Sequence, residues 1–341
     1  MSLFSKPRVI EKLRTFHKKV KANDGKIGTA LRGIDLNHNN KCNFKCKHCF
    51  TNSSINEHPN EELPIETIES IADQADELGI FEFDLQGGEL LLNSDSLFDV
   101  IESIEPVRFY LYLTTNGYFL TEEIAKELAA LGVSRVSVSV DSSDPVYHDL
   151  FRGCKGAHEK ALQALRNVKG AGMDPYLNIT VGHYNTFDLN VEELCAYSKK
   201  QGYTTLLNAA VPSGCWGNNL NIMLDDADRG QLLELRRHYG NILRDVWNPF
   251  NKDFESVLGC NTINRTYITP IGDVLVCPYI HIKIGNIFKN SLREIIDYGF
   301  SFDIFRDHSE FCLAGEDKEF VEKYMCFEGM SVFNPKDIKE I

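Results

Sequence analysis

Three cysteines lie close together in the first sixth of the chain. Cys42, Cys46 and Cys49 are separated by three and two residues, directly after a short apolar segment. Three thiolates on one short loop can occupy three corners of a metal centre. A structural zinc ion takes four ligands, commonly in two closely spaced pairs. His48 is adjacent to Cys49 in the chain and is therefore badly placed to bind the same metal ion as a fourth ligand. His38 is the other nearby candidate. The spacing therefore favours three ligands of an iron–sulfur cluster with one iron left open.

The composition is that of an ordinary globular protein. The 341 residues are 43% hydrophobic and 25% charged, enough for one large domain or for a large and a small one. A net charge of −13 argues against a nucleic-acid partner. The N-terminus has no apolar core of a signal peptide, and no stretch is long enough to cross a bilayer. We therefore expect a cytoplasmic protein with no membrane partner, whose ten cysteines serve metal or redox chemistry and not disulfides.

Alternating strands and helices must position the cysteine loop. From residue 34 to about 211, apolar β-branched runs alternate with amphipathic helical patterns. This alternation predicts an α/β fold with a parallel sheet, either open and doubly wound or closed into a partial barrel. In both architectures, ligands bind at the C-terminal ends of the strands. The predicted strands are Ile34–Leu36, Phe81–Gln86, Arg108–Thr114, Arg135–Val140, Tyr176–Val181 and Thr204–Ala210.

The pattern changes at both ends of this repeat. Residues 1–33 are basic and predict a helix packed on the outside of the domain. Its buried face is predicted to consist of Ile10, Leu13, Phe16 and Val20. After about residue 257 the alternation stops, and a hairpin of Thr266–Thr269 with Val274–Cys277 precedes a short helix at Leu292–Tyr298. We therefore predict three parts: an N-terminal helical extension (1–33), a main domain (34–245) and a small C-terminal α+β domain (246–341).

Polar residues and glycines follow several of the predicted strands. Two adjacent glycines let the backbone approach a ligand closely, and a neighbouring carboxylate suits an ammonium group. Alone, Gly-Gly-Glu would be a loop, and a single arginine would be a surface residue. At the end of the second strand, after the cysteine loop, Gly87, Gly88 and Glu89 predict a ligand contact. Asn116 follows the third strand, Ser139 and Asp141 lie on one face at the end of the fourth strand, and Arg152 lies further along the chain.

The cysteine loop after the first strand resembles the signature of the radical S-adenosylmethionine (SAM) superfamily. The resemblance implies a partial (β/α)6 TIM-like barrel, a [4Fe–4S] cluster on the three cysteines, and SAM on its open iron. It also implies that the Gly87–Glu89 segment contacts the SAM amino group, that Ser139 and Asp141 reach its ribose, and that Arg152 pairs with its carboxylate. Where the family usually carries an aromatic residue before the third cysteine, this chain has His48, whose ring can still pack on adenine.

A second set of cysteines lies near the C-terminus. Cys260 and Cys277 enclose Gly272 in a C-x11-G-x4-C pattern, and Cys312 and Cys326 follow. The pattern resembles the auxiliary-cluster extension of radical SAM enzymes in its short form, called twitch. The full SPASM form has a C-x2-C pair and three more ligands, which are missing here. Four cysteines suffice for one auxiliary [4Fe–4S] cluster. A zinc ribbon is the alternative, although no closely spaced pair supports it.

Three cysteines belong to neither set. Cys195 lies on an apolar helix face and is predicted to be a buried structural thiol, and Cys154 follows Arg152. Cys215 lies among turn residues just after the sixth strand, at the predicted mouth of the barrel. A free thiol there predicts a reactive group facing the substrate. The alternative is a loop cysteine packed beside Trp216.

The resemblance also implies the reaction. An external one-electron donor such as flavodoxin or ferredoxin reduces the cluster, SAM is cleaved, and a 5′-deoxyadenosyl radical takes a hydrogen atom from a substrate carbon. An auxiliary cluster that accepts the leftover electron gives dehydrogenation, whereas a hydrogen returned by Cys215 gives epimerisation. We expect a small hydroxylated metabolite such as an aminoglycoside or another sugar, because residues 1–33 are too few for a leader-peptide recognition domain. The alternatives are a maturase or epimerase of a ribosomally made peptide, and a non-enzymatic iron–sulfur or zinc scaffold.

Overall fold

The computed structural model describes residues 5–53, 61–248 and 257–341. Within these ranges the strands form one 11-stranded sheet in the order β11-β10-β9-β8-β1-β2-β3-β4-β5-β6-β7. The first six strands pair in parallel, as the alternating pattern predicts. They are β1 (Gly33–Leu36), β2 (Glu82–Leu85), β3 (Tyr110–Thr115), β4 (Arg135–Ser139), β5 (Asp174–Val181) and β6 (Thr204–Ala209). The remaining strands are β7 (Ile242–Leu243), β8 (Arg265–Ile268), β9 (Asp273–Leu275), β10 (Ile282–Asn286) and β11 (Lys336–Asp337).

Helices connect the parallel strands and cover the sheet. Thr121 and Asp188 each precede a helical pattern in the sequence, which predicts that they are N-caps. Both predictions are confirmed, since the Thr121 side chain accepts a hydrogen bond from the Ile124 amide and the Asp188 side chain accepts one from the Asn190 amide. The helices are α1 (Pro7–Ala22), α2 (Ile65–Glu77), α3 (Ser94–Ile104), α4 (Glu122–Ala130), α5 (Pro145–Arg152), α6 (Ala157–Gly170), α7 (Leu189–Gln201), α8 (Asp226–Tyr239), α9 (Leu292–Phe300), α10 (Asp303–Arg306), α11 (Leu313–Glu316) and α12 (Lys318–Tyr324). No helix of the described residues is long and apolar enough to span a membrane.

The strands have one apolar face and one polar face, because side chains alternate along a strand. The apolar side chains belong to the buried core that includes the helices, where each large side chain contributes about 1.5–3 kcal/mol. They include Ile34, Leu36, Phe83, Leu85, Leu111, Leu113, Val136 and Val138. The alternate positions carry polar residues that line an internal cavity, among them Asp35, Asp84, Thr114, Ser139 and Asn178. The curved sheet therefore surrounds a polar interior, as a partial barrel that binds a polar ligand requires.

The N-terminal helix closes the end of the barrel opposite the cysteine loop. Its Phe16 packs on Phe81, with ring centroids 5.3 Å apart, and Val20 is also buried. These two predicted contacts are confirmed. The predicted Ile10 and Leu13 are only half-buried, and Val9 and Lys12 are buried in their place.

Lys6 fixes this helix to the barrel. Its Nζ donates to the carbonyl oxygens of Phe109 and Gly132, at 3.0 and 2.8 Å, and to the Ser134 hydroxyl at 2.9 Å. The side chain is fully buried, and burial lowers the pKa of Lys6 to about 8. Three hydrogen-bond acceptors therefore replace water around the buried Lys6 ammonium group. These hydrogen bonds fix the position of the N-terminal helix on the barrel.

The C-terminal strands continue the barrel sheet. The predicted hairpin is confirmed as the antiparallel pair β8 and β9, and β8 also pairs in parallel with β1. Asp245, just after β7 on the opposite edge of the sheet, contacts Arg265 of β8 at 3.3 Å. The Leu292 amide at the start of α9 donates to the Gln74 side chain of α2 at 2.7 Å. The division at residues 245 and 246 thus lies within one continuous sheet.

Candidate active site

Both cysteine sets line one cavity at the C-terminal ends of the barrel strands. Six thiols contribute to its wall, together with the polar residues of the barrel interior. One set follows β1, and the other comes from the segments around the β8–β9 hairpin and before α11. The six are Cys42, Cys46, Cys49, Cys260, Cys277 and Cys312.

The sulfur spacing in both sets does not suit a single zinc ion. Zinc–sulfur bonds of about 2.3 Å in a tetrahedron place the sulfurs within about 4 Å of one another. Across the described residues, no three cysteine sulfurs lie within 4.8 Å of one another. The wider spacing and the all-thiolate donor set fit an iron–sulfur cluster. This finding argues against a zinc ribbon for the C-terminal set.

The Gly87–Gly88 turn packs directly against the cysteine loop. A side chain at Gly88 would overlap the carbonyl group of Lys41, and one at Gly87 would overlap the Asn37 side chain and the Asn39 carbonyl. Gly87 also has φ of +152°, which favours glycine. Both glycines line the cavity. The glycines are therefore needed to bring the end of β2 against the residues that precede Cys42.

We expect Gly88→Ala to lose the cluster at Cys42, Cys46 and Cys49 while retaining the auxiliary cluster. The added methyl must displace backbone at Lys41, and overpacking of this kind costs about 1–3 kcal/mol. The measurement is iron per chain after anaerobic reconstitution, together with the melting temperature. Gly230→Ala in α8 is the matched control, because its added methyl meets no atom within 4 Å. Unchanged iron in Gly88→Ala would contradict the packing role.

Glu89 supports the site from beneath its wall. One carboxylate oxygen accepts from the Thr115 hydroxyl at 2.6 Å and the Leu91 amide at 3.1 Å, and the other accepts from the Asn116 amide at 2.8 Å. The side chain is buried and is not among the residues that line the cavity. The second oxygen accepts one hydrogen bond from the described residues and can accept another, so contact with the SAM amino group stays a prediction. Glu89 also positions Asn116, which lines the cavity and donates to Asn43 at 2.9 Å.

Arg152 and Asp141 form a buried ion pair beside the cysteine loop. Arg152 Nε lies 2.6 Å from Asp141 Oδ2, and its Nη1 lies 3.9 Å from Cys46 Sγ. Burial opposes ionisation of Asp141, but Arg152, the neighbouring histidine rings and a backbone hydrogen bond together outweigh it and lower the pKa of Asp141 to about 2. Asp141 also accepts from the Thr180 amide at 3.0 Å. Ser139 and Arg152 line the cavity, whereas Asp141 does not, so Asp141 orients Arg152.

The residue before the third cysteine packs in an aromatic cluster. The His48 ring stacks on Phe151, with centroids 4.5 Å apart and planes within 9°, and lies 5.7 Å from Trp216. Burial lowers the pKa of His48 to about 3. His48 is therefore a neutral flat ring on the cavity wall, in the role that an aromatic side chain would have.

The structure brings together three of the four C-terminal cysteines. Cys326 is exposed and is absent from the cavity wall. Helix α12 packs through Phe320 and Val321 and carries the chain to the surface before Cys326. Cys312 is held in place because its amide donates to Glu316 at 2.7 Å. The structure therefore does not bring Cys326 together with the other three cysteines, as the four-cysteine prediction requires. The spacing of the cysteines along the chain could not predict that α12 leads Cys326 to the surface.

The remaining thiols lie outside the cavity. The Cys215 amide donates to the Cys49 carbonyl at 2.9 Å, so its loop packs on the cysteine loop. Its side chain is exposed, and the neighbouring Trp216 lines the cavity in its place. The structure therefore places Trp216, and not Cys215, on the cavity wall, and the role of Cys215 toward the substrate stays a prediction. Cys195 is buried, as predicted, and Cys154 is partly buried on the α5–α6 loop.

A charged group in the barrel interior was missed by the sequence analysis. Arg265 Nε lies 2.6 Å from Asp35, its Nη2 lies 2.9 Å from Asp84, and its Nη1 contacts Asp245. Burial, opposed by Arg265 and assisted by Asp35, raises the pKa of Asp84 to about 8. Arg135 lines the same cavity. The available signal was an acidic residue at the third position of two otherwise apolar strands.

Comparison with known proteins agrees with this geometry. Residues 36–197 match the radical SAM superfamily, and residues 260–316 match the SPASM iron–sulfur cluster-binding domain. The chain belongs to the radical SAM superfamily. It is a radical SAM enzyme with a SPASM-type C-terminal domain. Its cofactors are a SAM-binding [4Fe–4S] cluster, SAM and an auxiliary iron–sulfur cluster.

Several characterised relatives share most of the chain. It is 28% identical over 298 residues to the AdoMet-dependent heme synthase of Methanosarcina barkeri, which covers 79% of this chain and 83% of the relative. It is 29% identical to mycofactocin maturase MftC of Mycolicibacterium smegmatis, covering 73% and 65% respectively. It is 28% identical to a PqqA peptide cyclase of Streptomyces rochei, covering 80% and 77%.

Solved structures share the fold at low identity. Native anSMEcpe with bound AdoMet superposes with a TM-score of 0.64 at 17% identity, covering 85% of this chain and 96% of the other. SuiB of Streptococcus suis bound to precursor peptide SuiA gives a TM-score of 0.62 at 15% identity, covering 83% and 68%. The partial barrel with its small C-terminal domain is therefore the architecture of radical SAM enzymes.

Proposed function

We propose that the enzyme removes a hydrogen atom from a substrate bound inside the barrel and completes a net oxidation through the auxiliary cluster. The observation that carries this proposal is the shared cavity, whose wall contains both cysteine sets with the polar barrel interior below them. A substrate in that interior lies within reach of both centres. The reducing electron comes from an external one-electron donor such as flavodoxin or ferredoxin.

The residues around the first cysteine loop bind and orient SAM. Cys42, Cys46 and Cys49 hold the cluster, which together with SAM supplies hydrogen-atom abstraction when bound. Arg152, fixed by Asp141, offers a guanidinium group for the SAM carboxylate. The Gly87–Gly88 backbone and the Asn116 and Ser139 side chains contribute the remaining polar contacts, and His48 offers a flat ring for adenine. These assignments follow from which side chains line the cavity.

The C-terminal residues hold the second cluster and shield the cavity. Cys260, Cys277 and Cys312 are its proposed ligands, with Cys326 left out because of its exposure. Helix α1, held through Lys6, seals the other end of the barrel. Water is thereby kept from a reactive substrate carbon.

The exposed position of Cys215 favours oxidation over epimerisation. A thiol that returns a hydrogen atom must reach the substrate carbon, whereas this side chain lies outside the cavity wall. We therefore propose dehydrogenation chemistry, with Cys215 serving the packing of its loop on Cys49. The hydroxyl and amide groups of Thr114, Asn178 and Asn208 on the cavity wall suit a small polar metabolite, such as a sugar or aminoglycoside.

Peptide modification is the second candidate function. Mycofactocin maturase and PqqA peptide cyclase are named for such substrates or products, and SuiB was solved with a precursor peptide. The heme synthase among the relatives shows that the same architecture also serves a non-peptide product. One side chain of a peptide would enter the cavity. Both candidate functions therefore place the reacting carbon of the substrate in the barrel interior.

The test uses the reconstituted enzyme with SAM and dithionite in D2O, incubated separately with a metabolite extract and a peptide extract. We expect a SAM-dependent product 2 Da lighter than its precursor from the metabolite extract, with an equal amount of 5′-deoxyadenosine. The Cys215→Ala variant is expected to form the same product. A product of unchanged covalent formula that carries one solvent deuterium, and that Cys215→Ala fails to form, would overturn the oxidation proposal. A lighter product from the peptide extract alone would favour the second candidate.

A further inference from the structure

Arg135 at the start of β4 is a cavity-lining cation whose side-chain hydrogen bonds go to a neutral hydroxyl and not to a carboxylate. Its guanidinium carbon lies 4.0 Å from the ring centroid of Tyr112 and 3.9 Å from that of Tyr176. Its Nε and Nη2 both donate to the Ser137 hydroxyl, at 3.1 and 3.0 Å. In the part of the chain that the structure describes, no carboxylate oxygen lies within 4.0 Å of it. One neutral hydroxyl is therefore its hydrogen-bond partner.

Arg265 in the same cavity has the opposite surroundings. Three carboxylates contact it, from Asp35, Asp84 and Asp245. Removing a guanidinium from water is costly unless charge and hydrogen bonds replace the solvent, and Arg265 has both. The three carboxylates thus make their direct contacts with Arg265, while Asp84 and Asp245 act on Arg135 only through their more distant charges. The guanidinium of Arg135 therefore has donors that no carboxylate of the described residues occupies.

The aromatic rings fix the Arg135 plane without using its donors. Ring faces attract a guanidinium group by about 0.5–2 kcal/mol each, and they leave the N–H groups in the guanidinium plane free to donate. A planar guanidinium group held in this way can donate two parallel hydrogen bonds to the two oxygens of a carboxylate or to the oxygens of a phosphate.

We infer that Arg135 binds an anionic oxygen group of the substrate, a carboxylate or a phosphate. This inference rests on the proposed function, because it assumes that the substrate occupies the barrel interior. Arg135 and Ser139 are four residues apart on β4, a distance of about 13 Å at about 3.3 Å per residue. Since Ser139 lies at the SAM end, the substrate's anionic group is on the order of 10 Å from the carbon that loses hydrogen. Among the small polar metabolites of the proposed function, this inference selects those with an anionic substituent, such as a sugar that carries a carboxylate or a phosphate.

The test needs no turnover. The reconstituted protein, saturated with SAM so that Arg152 is occupied, is titrated with inorganic phosphate and separately with succinate, and its melting temperature is followed. We expect a saturable rise for wild type and a midpoint concentration at least about tenfold higher for Arg135→Met. Without added anion, we expect Arg135→Met to melt below the wild-type temperature, because the contacts with Tyr112, Tyr176 and Ser137 are lost. The comparison therefore uses the rise in melting temperature that each protein shows on adding anion, and not the basal value. Arg166→Met, which removes an exposed arginine bound to Gln163, is the matched control.

Each outcome decides the inference. A response to succinate alone, to phosphate alone or to both, lost only in Arg135→Met, supports it and identifies the anion class. Equal responses in wild type and Arg135→Met, or no response in wild type, would overturn it. Arg135→Gln, which retains a donor for Ser137, replaces the methionine variant if that variant does not fold. Wild-type enzyme that fails to cleave SAM with dithionite would contradict the proposed function separately, without altering this comparison.

Discussion

Cys42→Ala is expected to abolish reductive cleavage of SAM while leaving the auxiliary cluster in place. Cys42 is one of three thiolates on the loop after β1, and two thiolates are too few to retain a cluster that must also bind SAM. Iron is expected to fall from about eight to about four per chain, because one of two four-iron clusters is lost. The measurements are iron content after anaerobic reconstitution and 5′-deoxyadenosine formed with dithionite.

The matched control is Cys195→Ala. Cys195 is buried on α7 and is not among the cavity-lining residues, so the variant is expected to keep about eight irons and normal SAM cleavage. Continued formation of 5′-deoxyadenosine by Cys42→Ala would contradict the assignment of the first cysteine loop. Loss of all iron would instead show that the two clusters assemble as one unit.

Cys312→Ala and Cys326→Ala are expected to behave oppositely. Cys312 lines the cavity with Cys260 and Cys277, whereas Cys326 is exposed at the end of α12. Cys312→Ala should therefore retain about four irons, keep cleaving SAM and stop forming the oxidised product, because the electron acceptor is gone. Cys326→Ala should keep about eight irons and the full reaction. Iron analysis and product mass spectrometry on the two variants give the comparison.

The opposite result would restore the four-cysteine set expected from the sequence. If Cys326→Ala lost about four irons, Cys326 would be a ligand and the position of the chain after α12 would differ in the loaded enzyme. Zinc in the C-terminal site of wild type would contradict the auxiliary cluster itself. The pair is well matched because both changes remove one thiol from the same 15-residue region (312–326).

The sequence predicted the fold well because local patterns determine it. Six strands were placed within two residues of their observed ends, since β-branched apolar runs and glycine helix ends are local signals. The first cysteine loop and the polar residues at strand ends were also found, because parallel strands bring their C-terminal ends to one edge of the sheet. At Thr121 and Asp188, the short polar side chain before an apolar helix was sufficient to predict the cap.

Side-chain direction was not predictable in the same way. Cys215 and Trp216 are adjacent, but Trp216 lines the cavity whereas Cys215 is exposed, which depends on how Gly214 packs against Cys49. Glu89 was expected to contact a ligand, and its carboxylate also binds Thr115 and Asn116. These differences arise from contacts between residues distant in the chain, which spacing does not describe.

The pairing of β8 with β1 has a consequence for electron tunnelling. The first cysteine loop follows β1, and Cys277 follows the β8–β9 hairpin, so backbone hydrogen bonds between adjacent strands connect the supports of both thiol sets. Tunnelling rates fall steeply with the distance between redox centres. A separation set by neighbouring strands of one sheet stays constant while the substrate enters and leaves. Under the proposed oxidation, the C-terminal domain would hold its cluster at a constant distance from the site of hydrogen abstraction.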